Sequence, residues 1–536
     1  MAEKRLLDCT LRDGGFVNDW AFGHGSIVSL FERLVSARLD AIEVGFLDER
    51  RAFDRDRTIM PDTAAVDRIF EGLDKGGALV VGMIDYGTCG LDKLAPCAES
   101  WLDGIRVIFK KKDADGALAF CKGVMDKGYR LFVQPVSVTS YSDEEMTALV
   151  EKVNALRPFS MSIVDTYGLL HKNNLLHYFR LVDEHLADGI GIGYHSHNNF
   201  QLAYANSIEL LECDLKRPLT VDSSLYGMGK GAGNAATELL SMYMNDHCGS
   251  SYDINQILEA IDVNVLPVYR RMAWGYSFEY YLAASNDCHP HYVKHLSDKR
   301  TLSAKSINEL LARIAPDKRL SYDKAHMEAL YLDYQRNEVA DEADLESLGR
   351  ELEGRPVLLV GPGRGTIGHE AELRAYVMQQ RPVVVAINHI PEVVEADMVF
   401  VSNAKRYVQL ADALHRGQGK GRLRLIATSN VTCTRGCFDH LLNYSSLLLT
   451  KGAFPDNSLI MFLKVLLRLG VDRVALAGFD GYGAGRAPNY AYAEMEYPFT
   501  DELAAQVNRD VSEFLAEAAP SVRIEFLTES LYRPKE

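Results

Sequence analysis

Eight short apolar runs, each followed by a stretch with helical spacing, occupy the first half of the chain and leave few folds open to it. The runs are Arg5–Asp8, Ala41–Phe46, Ala78–Asp85, Gly104–Lys110, Arg130–Val136, Ser160–Thr166, Gly191–His197 and Thr220–Leu225. Helical apolar periods lie between them, as at Ile27–Ala37 and Met146–Ala155. Eight strand–helix units predict a (β/α)8 barrel, an α/β fold closed on a parallel sheet. The runner-up is an open doubly wound sheet, which needs fewer strands.

Barrels of this kind carry their chemistry at the carboxyl ends of the strands, and the polar residues of this chain collect there. Arg12, Asp13 and the glycines Gly14 and Gly15 follow the first run, and Glu43 lies within the second. Asp85 ends the third, Gln134 nears the end of the fifth, and Asp165 and Thr166 end the sixth. His195 and His197 end the seventh, and Asp222 and Ser223 lie in the eighth. Alternate residues of a strand share a face, so His195 and His197 present two imidazoles to one side. With the Asp13 carboxylate and the Asn234 amide oxygen they form a donor set for a divalent cation that suits Mn2+, Mg2+, Co2+ or Zn2+ without choosing among them. Asp222 suits a hydrogen-bonded interior layer. For Asp85 and Gln134 that reading stands beside substrate binding. A Schiff-base mechanism would need a desolvated strand-end lysine, but Lys110 opens a run of three lysines that reads as solvated charge.

A chain of 536 residues exceeds one core and predicts two or three domains. Its net charge of −16 argues against nucleic acid or an anionic membrane as partner. No apolar run approaches membrane-spanning length and no signal peptide opens the chain, so a cytoplasmic protein is expected. The nine cysteines are scattered, and the nearest pair, Cys433 and Cys437, has no second half of a metal motif.

Five motifs now stand in order on the strand ends: Asp8-x-Thr10-Leu-Arg12-Asp13-Gly14, Ile42-Glu43-Val44-Gly45, Asp165-Thr166-x-Gly168, His195-x-His197-Asn198 and Gly227-x-Gly229-x-x-x-Gly233-Asn234. Together they resemble the superfamily of metal-dependent pyruvate aldolases and acyl-CoA lyases, which includes 4-hydroxy-2-oxovalerate aldolase, hydroxymethylglutaryl-CoA lyase and isopropylmalate synthase. The resemblance implies that Asp13, His195, His197 and Asn234 hold the metal, that Arg12 stabilises an enolate oxygen, and that Glu43 holds water or the proton network. It implies a 2-oxo acid polarised by the metal, with Thr166 at its carboxylate. Tyr276 resembles the aldolase tyrosine that contacts the aldehyde-derived oxygen. One position departs from the pattern. Phe16 stands where the aldolases carry a histidine and the lyases and synthases a glutamine, and phenylalanine moves no proton. His24, further along the chain, is the candidate to reach back.

Residues 286–350 are charged and helical in period and read as an extension following a barrel of residues 1–285. A second α/β unit, residues 351–536, carries strand-like runs at Val357–Val360, Val383–Asn388, Met398–Ser402, Leu423–Thr428, Arg473–Ala477 and Arg523–Leu527. Helices are expected at Thr366–Gln379, Ala404–His415, Ser458–Leu469 and Asp501–Ala518. This pattern predicts a doubly wound, Rossmann-like sheet. Gly361, Gly363 and Gly365 follow its first strand at a position suited to phosphate, although neither the dinucleotide fingerprint nor a Walker loop is present. The glycine loop, Ser402-Asn403 and Gly478-x-Asp480 resemble the nucleotide-binding unit of sialyltransferase-like and pterin-pyrophosphokinase-like proteins. A nucleotide or nucleotide-sugar pocket is therefore expected there.

These readings converge on a metal-dependent carbon–carbon lyase acting beside the ketone of a 2-oxo acid, with pyruvate and an aldehyde as partners and a homo-oligomeric state. Claisen condensation of acetyl-CoA is the alternative, as is a nucleotide-binding protein whose barrel is a scaffold.

Overall fold

The structure, a computed structural model, describes residues 2–299, 302–418, 423–431, 438–449, 452, 455–483, 489–492, 495 and 500–533. Cys433 and Cys437 lie outside them.

The first sheet comprises β1 (Lys4–Asp8), β2 (Ala41–Leu47), β3 (Ile59–Met60), β4 (Leu79–Asp85), β5 (Gly104–Phe109), β6 (Arg130–Pro135), β7 (Ser160–Asp165), β8 (Gly191–Ser196) and β9 (Leu219–Ser223). Its strands run parallel in the order β1-β9-β8-β7-β6-β5-β4-β2-β3. A further β1–β2 pairing, Leu7 opposite Ala41, closes the eight long strands into a barrel and excludes the open sheet. The two-residue β3 pairs with β2 outside the ring and is too short to show as an apolar run.

The strand pleat sorts the interior into layers. Leu7, Ala41, Val81 and Phe132 pack together as an apolar floor. Two residues further along the same strands, on the same face, stand Glu43 and Gln134, and Arg106 and Asp222 join them from β5 and β9. The opposite faces, including Ile42, Val44, Val80 and Val107, pack under the surrounding helices. Those helices include His24–Ser36 and Asp143–Leu156. The second carries a capping box in which Ser142 and Glu145 each accept from the other's backbone N–H.

The chain divides into two compact units, Met1–Val293 with Ala315–Tyr322, and Lys294–Ile314 with Asp323–Glu536. The helical stretch read as one extension is thus shared between them. In the second unit β10 (Val357–Val360), β11 (Val383–Ile387), β12 (Met398–Val401), β13 (Arg424–Thr428), β14 (His440–Leu442), β15 (Arg473–Ala477) and β16 (Arg523–Phe526) form a parallel sheet. Their order is β14-β13-β12-β11-β10-β15-β16. The chain moves from β10 to one side and later returns to β10's other side, so the order reverses between β10 and β15. The sheet is the expected doubly wound type with one added edge strand, β14, whose three residues gave no strand-length run. The helix expected from Thr366 starts later, at Glu370. A 3-10 turn at Arg364–Thr366 comes first, and Gly368 at φ +90° interrupts the path.

Candidate active site

The turn after β1 sets the first ligand. Backbone N–H groups of Arg12 and Asp13 both donate to the Cys9 carbonyl, at 3.0 and 2.7 Å, which turns the two side chains inward. The chain passes so close to Trp20 that a Cβ on Gly15 would lie 1.9 Å from the indole, so glycine is required there. Trp20 returns its indole N–H to the Arg12 carbonyl at 2.7 Å.

Asp13, His195 and His197 come together as expected, with one ligand atom from each lying within 4.8 Å of the others. The two imidazole centroids are 5.2 Å apart. Nδ1 of His195 meets Asp222 Oδ2 at 3.0 Å, which leaves Nε2 as the ring atom that could hold a metal. Burial holds His197 at a pKa of about 4, so its ring is neutral and ready to ligate near neutral pH. Burial works to raise the Asp13 carboxyl, but Arg12 and the two imidazoles overcome it and hold Asp13 far below the usual range. Asn234 Nδ2 donates to Asp13 Oδ2 at 2.7 Å. Asn234 Oδ1 and His197 Nδ1 are buried without a hydrogen-bond partner. Buried polar atoms rarely stay unpaired, and this mixed N/O set suits a divalent cation.

Charge is held beneath the ligands by a buried network. Arg12 donates to Glu43 through Nε at 2.7 Å and to Asp13 through Nη1 at 2.6 Å. Arg106, 1% exposed, pairs with Glu43 at 3.2 Å and with Asp222. One chain of ion pairs therefore runs Asp13–Arg12–Glu43–Arg106–Asp222–His195. Asp222, read from sequence as part of a hydrogen-bonded interior layer, is the carboxylate that fixes the His195 ring. Arg106 escaped sequence reading altogether, although an arginine inside the run Gly104-Ile-Arg106-Val-Ile was its signal.

The remaining expected residues are placed less uniformly. Gln134 is buried in the interior layer, 2.8 Å from Ser162 Oγ. Thr166 Oγ1 accepts the Ser137 N–H at 2.8 Å and keeps its own hydrogen to donate. Asp85 sits exposed at the end of β4, and partial burial raises its pKa. His24 opens the helix His24–Ser36, where its backbone N–H donates to Asp56 at 2.8 Å. No hydrogen bond or ring contact ties its imidazole to Arg12 or Asp13. Tyr276 is 55% exposed. It is Tyr280, four residues on, whose ring lies 3.7 Å from the Cβ position of Gly231 in the loop after β9. Lys110 is exposed, as its run of lysines suggested.

Phe16 forms one wall of the mouth, edge-on to Trp20 at 4.8 Å and to Phe46 at 5.9 Å. Lys230 was not anticipated. Its Nζ stands 5.3 Å from the Phe16 ring centroid, and its backbone N–H donates to Asp13 Oδ2 at 3.2 Å. Burial lowers its pKa, while Asp13 and Asp85 pull it back up.

In the second unit the glycine loop does not offer a free phosphate cradle. The N–H groups of Gly361 and Gly363 donate to the Ala477 and Gly478 carbonyls, both at 2.8 Å. The N–H of Gly365 donates to Asp480 Oδ2 at 2.7 Å. A carboxylate of the chain itself occupies the anion position.

The HMGL-like family model matches residues 110–263. The chain is 24% identical over 273 residues to 4-hydroxy-2-oxovalerate aldolase 6 of Rhodococcus jostii, covering 50% of this chain and 75% of that one. It is 27% identical over 290 residues to the 4-hydroxy-2-oxovalerate aldolase of Spirochaeta aurantia, covering 50% and 80%. It is 22% identical over 273 residues to the oxaloacetate decarboxylase of Mycobacterium tuberculosis, covering 49% and 77%. Together with the closed barrel and the Asp13, His195 and His197 cluster, these matches make the first unit similar to the HMGL-like metal-dependent aldolases and lyases.

Proposed function

We propose that the barrel makes or breaks a carbon–carbon bond beside the ketone of a 2-oxo acid through an enolate, with pyruvate and an aldehyde as partners and Mn2+ as the metal. The observation that carries this reading is Arg12 Nη2. Its Nε and Nη1 are fixed on Glu43 and Asp13, while Nη2 is buried with no partner beside the ligand set. A buried charged donor without an acceptor is costly, unless an oxygen that gains negative charge arrives there.

Asp13, His195, His197 and the Asn234 carboxamide would hold the cation, which when bound would supply Lewis-acid chemistry at the ketone. Arg12 Nη2 donates to the ketone oxygen and more strongly as that oxygen becomes an enolate. Glu43 and Arg106 keep the Arg12 fork from turning away. The Thr166 hydroxyl donates to the substrate carboxylate. Phe16, Trp20 and Phe46 keep water from the reacting carbon, and the Lys230 ammonium balances charge on the acceptor's oxygen.

Aldehyde-dependent turnover of pyruvate by the full chain, lost with EDTA and restored by Mn2+, is the expected result. Activity unchanged by chelation would remove the proposal. The Phe16 side chain favours a second reading. Decarboxylation of a 2-oxo diacid gives the same enolate with loss of CO2 and needs no base at that position. Release of CO2 from oxaloacetate without aldehyde would select it.

A further inference from the structure

Lys230 is the one charged side chain in the glycine-rich loop Gly227-Met-Gly-Lys230-Gly-Ala-Gly233. The loop is pinned by its own backbone. The Asn234 N–H donates to the Gly227 carbonyl at 3.0 Å, the Gly233 N–H to the Lys230 carbonyl at 3.1 Å, and the Asn198 N–H to the Gly233 carbonyl at 2.8 Å. The N–H of Lys230 itself is committed to Asp13 Oδ2. Its backbone is therefore fixed beside the Asp13, His195 and His197 cluster, and its ammonium lies within one four-carbon stem of that backbone.

The stem carries the charge to the aromatic wall of the mouth. Lys230 Nζ lies 5.3 Å from the Phe16 ring centroid. Phe16 in turn meets Phe46 edge-on, and the Arg12 guanidinium carbon lies 5.6 Å from the Phe46 centroid. Two cations thus flank a pair of phenyl rings, Arg12 with its unpartnered Nη2 at one end and Lys230 at the other. Lys230 is half-buried, and among the described residues its ammonium makes no hydrogen bond and no ion pair. An ammonium partly stripped of water and held only by a ring face is short of an anion.

The neighbouring charges do not supply one. Burial works against the charge on Lys230, Asp13 and Asp85 support it, and Arg12 and Lys110 oppose it. Asp13 is already engaged by Arg12 and Asn234. Asp85 is shared among Lys110, Arg50 and Lys230. Arg50 is fixed on Asp48 through two hydrogen bonds, at 2.7 and 2.6 Å. Lys110 is exposed and makes no ion pair among the described residues. His289 adds no negative charge. Its Nδ1 accepts the His291 N–H at 3.1 Å, and burial, with His291, Lys230 and Lys110 adding to it, holds its pKa at about 4 and its ring neutral. Two lysines therefore share the single carboxylate of Asp85, which leaves a place for one more negative charge.

We infer that Lys230 seats a second carboxylate of the substrate, so that the acceptor is itself an oxo acid and not a neutral aldehyde. This rests on the lyase reading and makes the acceptor oxygen that Lys230 faces a carboxylate's. In the forward direction the pyruvate methyl carbon bonds to the acceptor's carbonyl carbon. The methyl group gives up a proton, the acceptor's carbonyl oxygen gains one, and the product is a 4-hydroxy-2-oxo diacid. One carboxylate of that diacid lies with the 2-oxo group at Thr166, and the other lies at Lys230 with the intervening carbons along Phe16. One ammonium matches the single charge of a carboxylate.

Calorimetric titration of the Mn2+-loaded full chain with 2-oxoglutarate and with 2-oxopentanoate compares two ligands of equal chain length, one with the far carboxylate and one without. 2-Oxoglutarate should bind about tenfold tighter or more. Lys230→Met should close that gap to within about threefold, and Lys230→Arg should keep most of it. In turnover with pyruvate, kcat/KM for succinic semialdehyde should exceed that for butanal, its neutral analogue, by about tenfold or more, because a site that pairs a substrate charge rejects the analogue lacking it. Equal affinity for the two oxo acids in the unaltered chain would overturn the inference without any variant. So would a preference that survives Lys230→Met and is lost in Lys110→Met. Tighter binding of 2-oxoglutarate with no turnover of any aldehyde would uphold the carboxylate seat and remove the lyase reading. Equal binding with brisk turnover of butanal would do the reverse.

Discussion

At the scale of single residues, Arg12 and Arg106 do different work with the same side chain. Arg12 keeps one donor uncommitted, so Arg12→Lys, which loses the planar fork, should lower kcat by about 10²–10³-fold. Its Mn2+ affinity should change only severalfold, as checked by steady-state kinetics beside metal titration. Arg106, 1% exposed, spans Glu43 and Asp222. Arg106→Met should destabilise the first unit by about 3–5 kcal/mol in denaturant melts, because Glu43 and Asp222 lose their buried counter-charge. His389 in the second unit gives a pH test. Burial holds its folded pKa at about 4 against 6.5 unfolded, with Nδ1–H donated to the Ile387 carbonyl at 3.1 Å. The folded chain refuses a proton that the unfolded chain accepts. Its stabilisation is therefore complete above pH 6.5 and is lost as pH falls toward 4, by up to about 3 kcal/mol. His389→Gln should flatten that limb in melts at pH 7, 5.5 and 4.5. That Asp13, His195 and His197 meet was legible because pleat and strand-end position bring them together. Tyr280, four residues past the exposed Tyr276, was not anticipated beside the β9 loop, because that closeness is made by the fold and not by local sequence. Lys230 was invisible because its closeness to Phe16 joins segments more than two hundred residues apart.

At the scale of elements, apolar period located all eight barrel strands and six of the seven strands of the second sheet. Buried parallel strands read as unbroken apolar runs. What it missed, β3 and β14, are two- and three-residue edge strands whose pairing comes from their neighbours. The glycine loop after β10 was legible as a tight strand exit. That Asp480 fills it depends on a contact from β15's loop and is not written in local sequence. The loop after β9 shows how backbone can set a metal site. A Cβ on Gly229 would lie 2.3 Å from Asn234 Nδ2 and 2.6 Å from Asp13 Oδ2. Gly229→Ala should therefore weaken Mn2+ binding at least tenfold with the far-ultraviolet circular dichroism unchanged. Unchanged metal affinity would show that the loop yields without moving the ligands.

At the scale of the whole molecule, two units with separate cores should melt separately. Scanning calorimetry should resolve two transitions, and only one should rise with Mn2+ and fall with EDTA. A single transition, or two that respond alike, would show that the cores are coupled. The ion-paired cluster under the barrel mouth also sets an order of arrival. Arg12 and Arg106 bring two positive charges, and Asp13, Glu43 and Asp222 bring three negative ones, while Lys230 and Asp85 beside them offset each other, which leaves one negative charge in excess. That excess repels a free oxo acid and draws a dication. Once the dication is in place, the sign reverses by one unit, and a monoanionic oxo acid restores neutrality. On the proposed reaction, the charge of this cluster would favour uptake of the metal before the oxo acid.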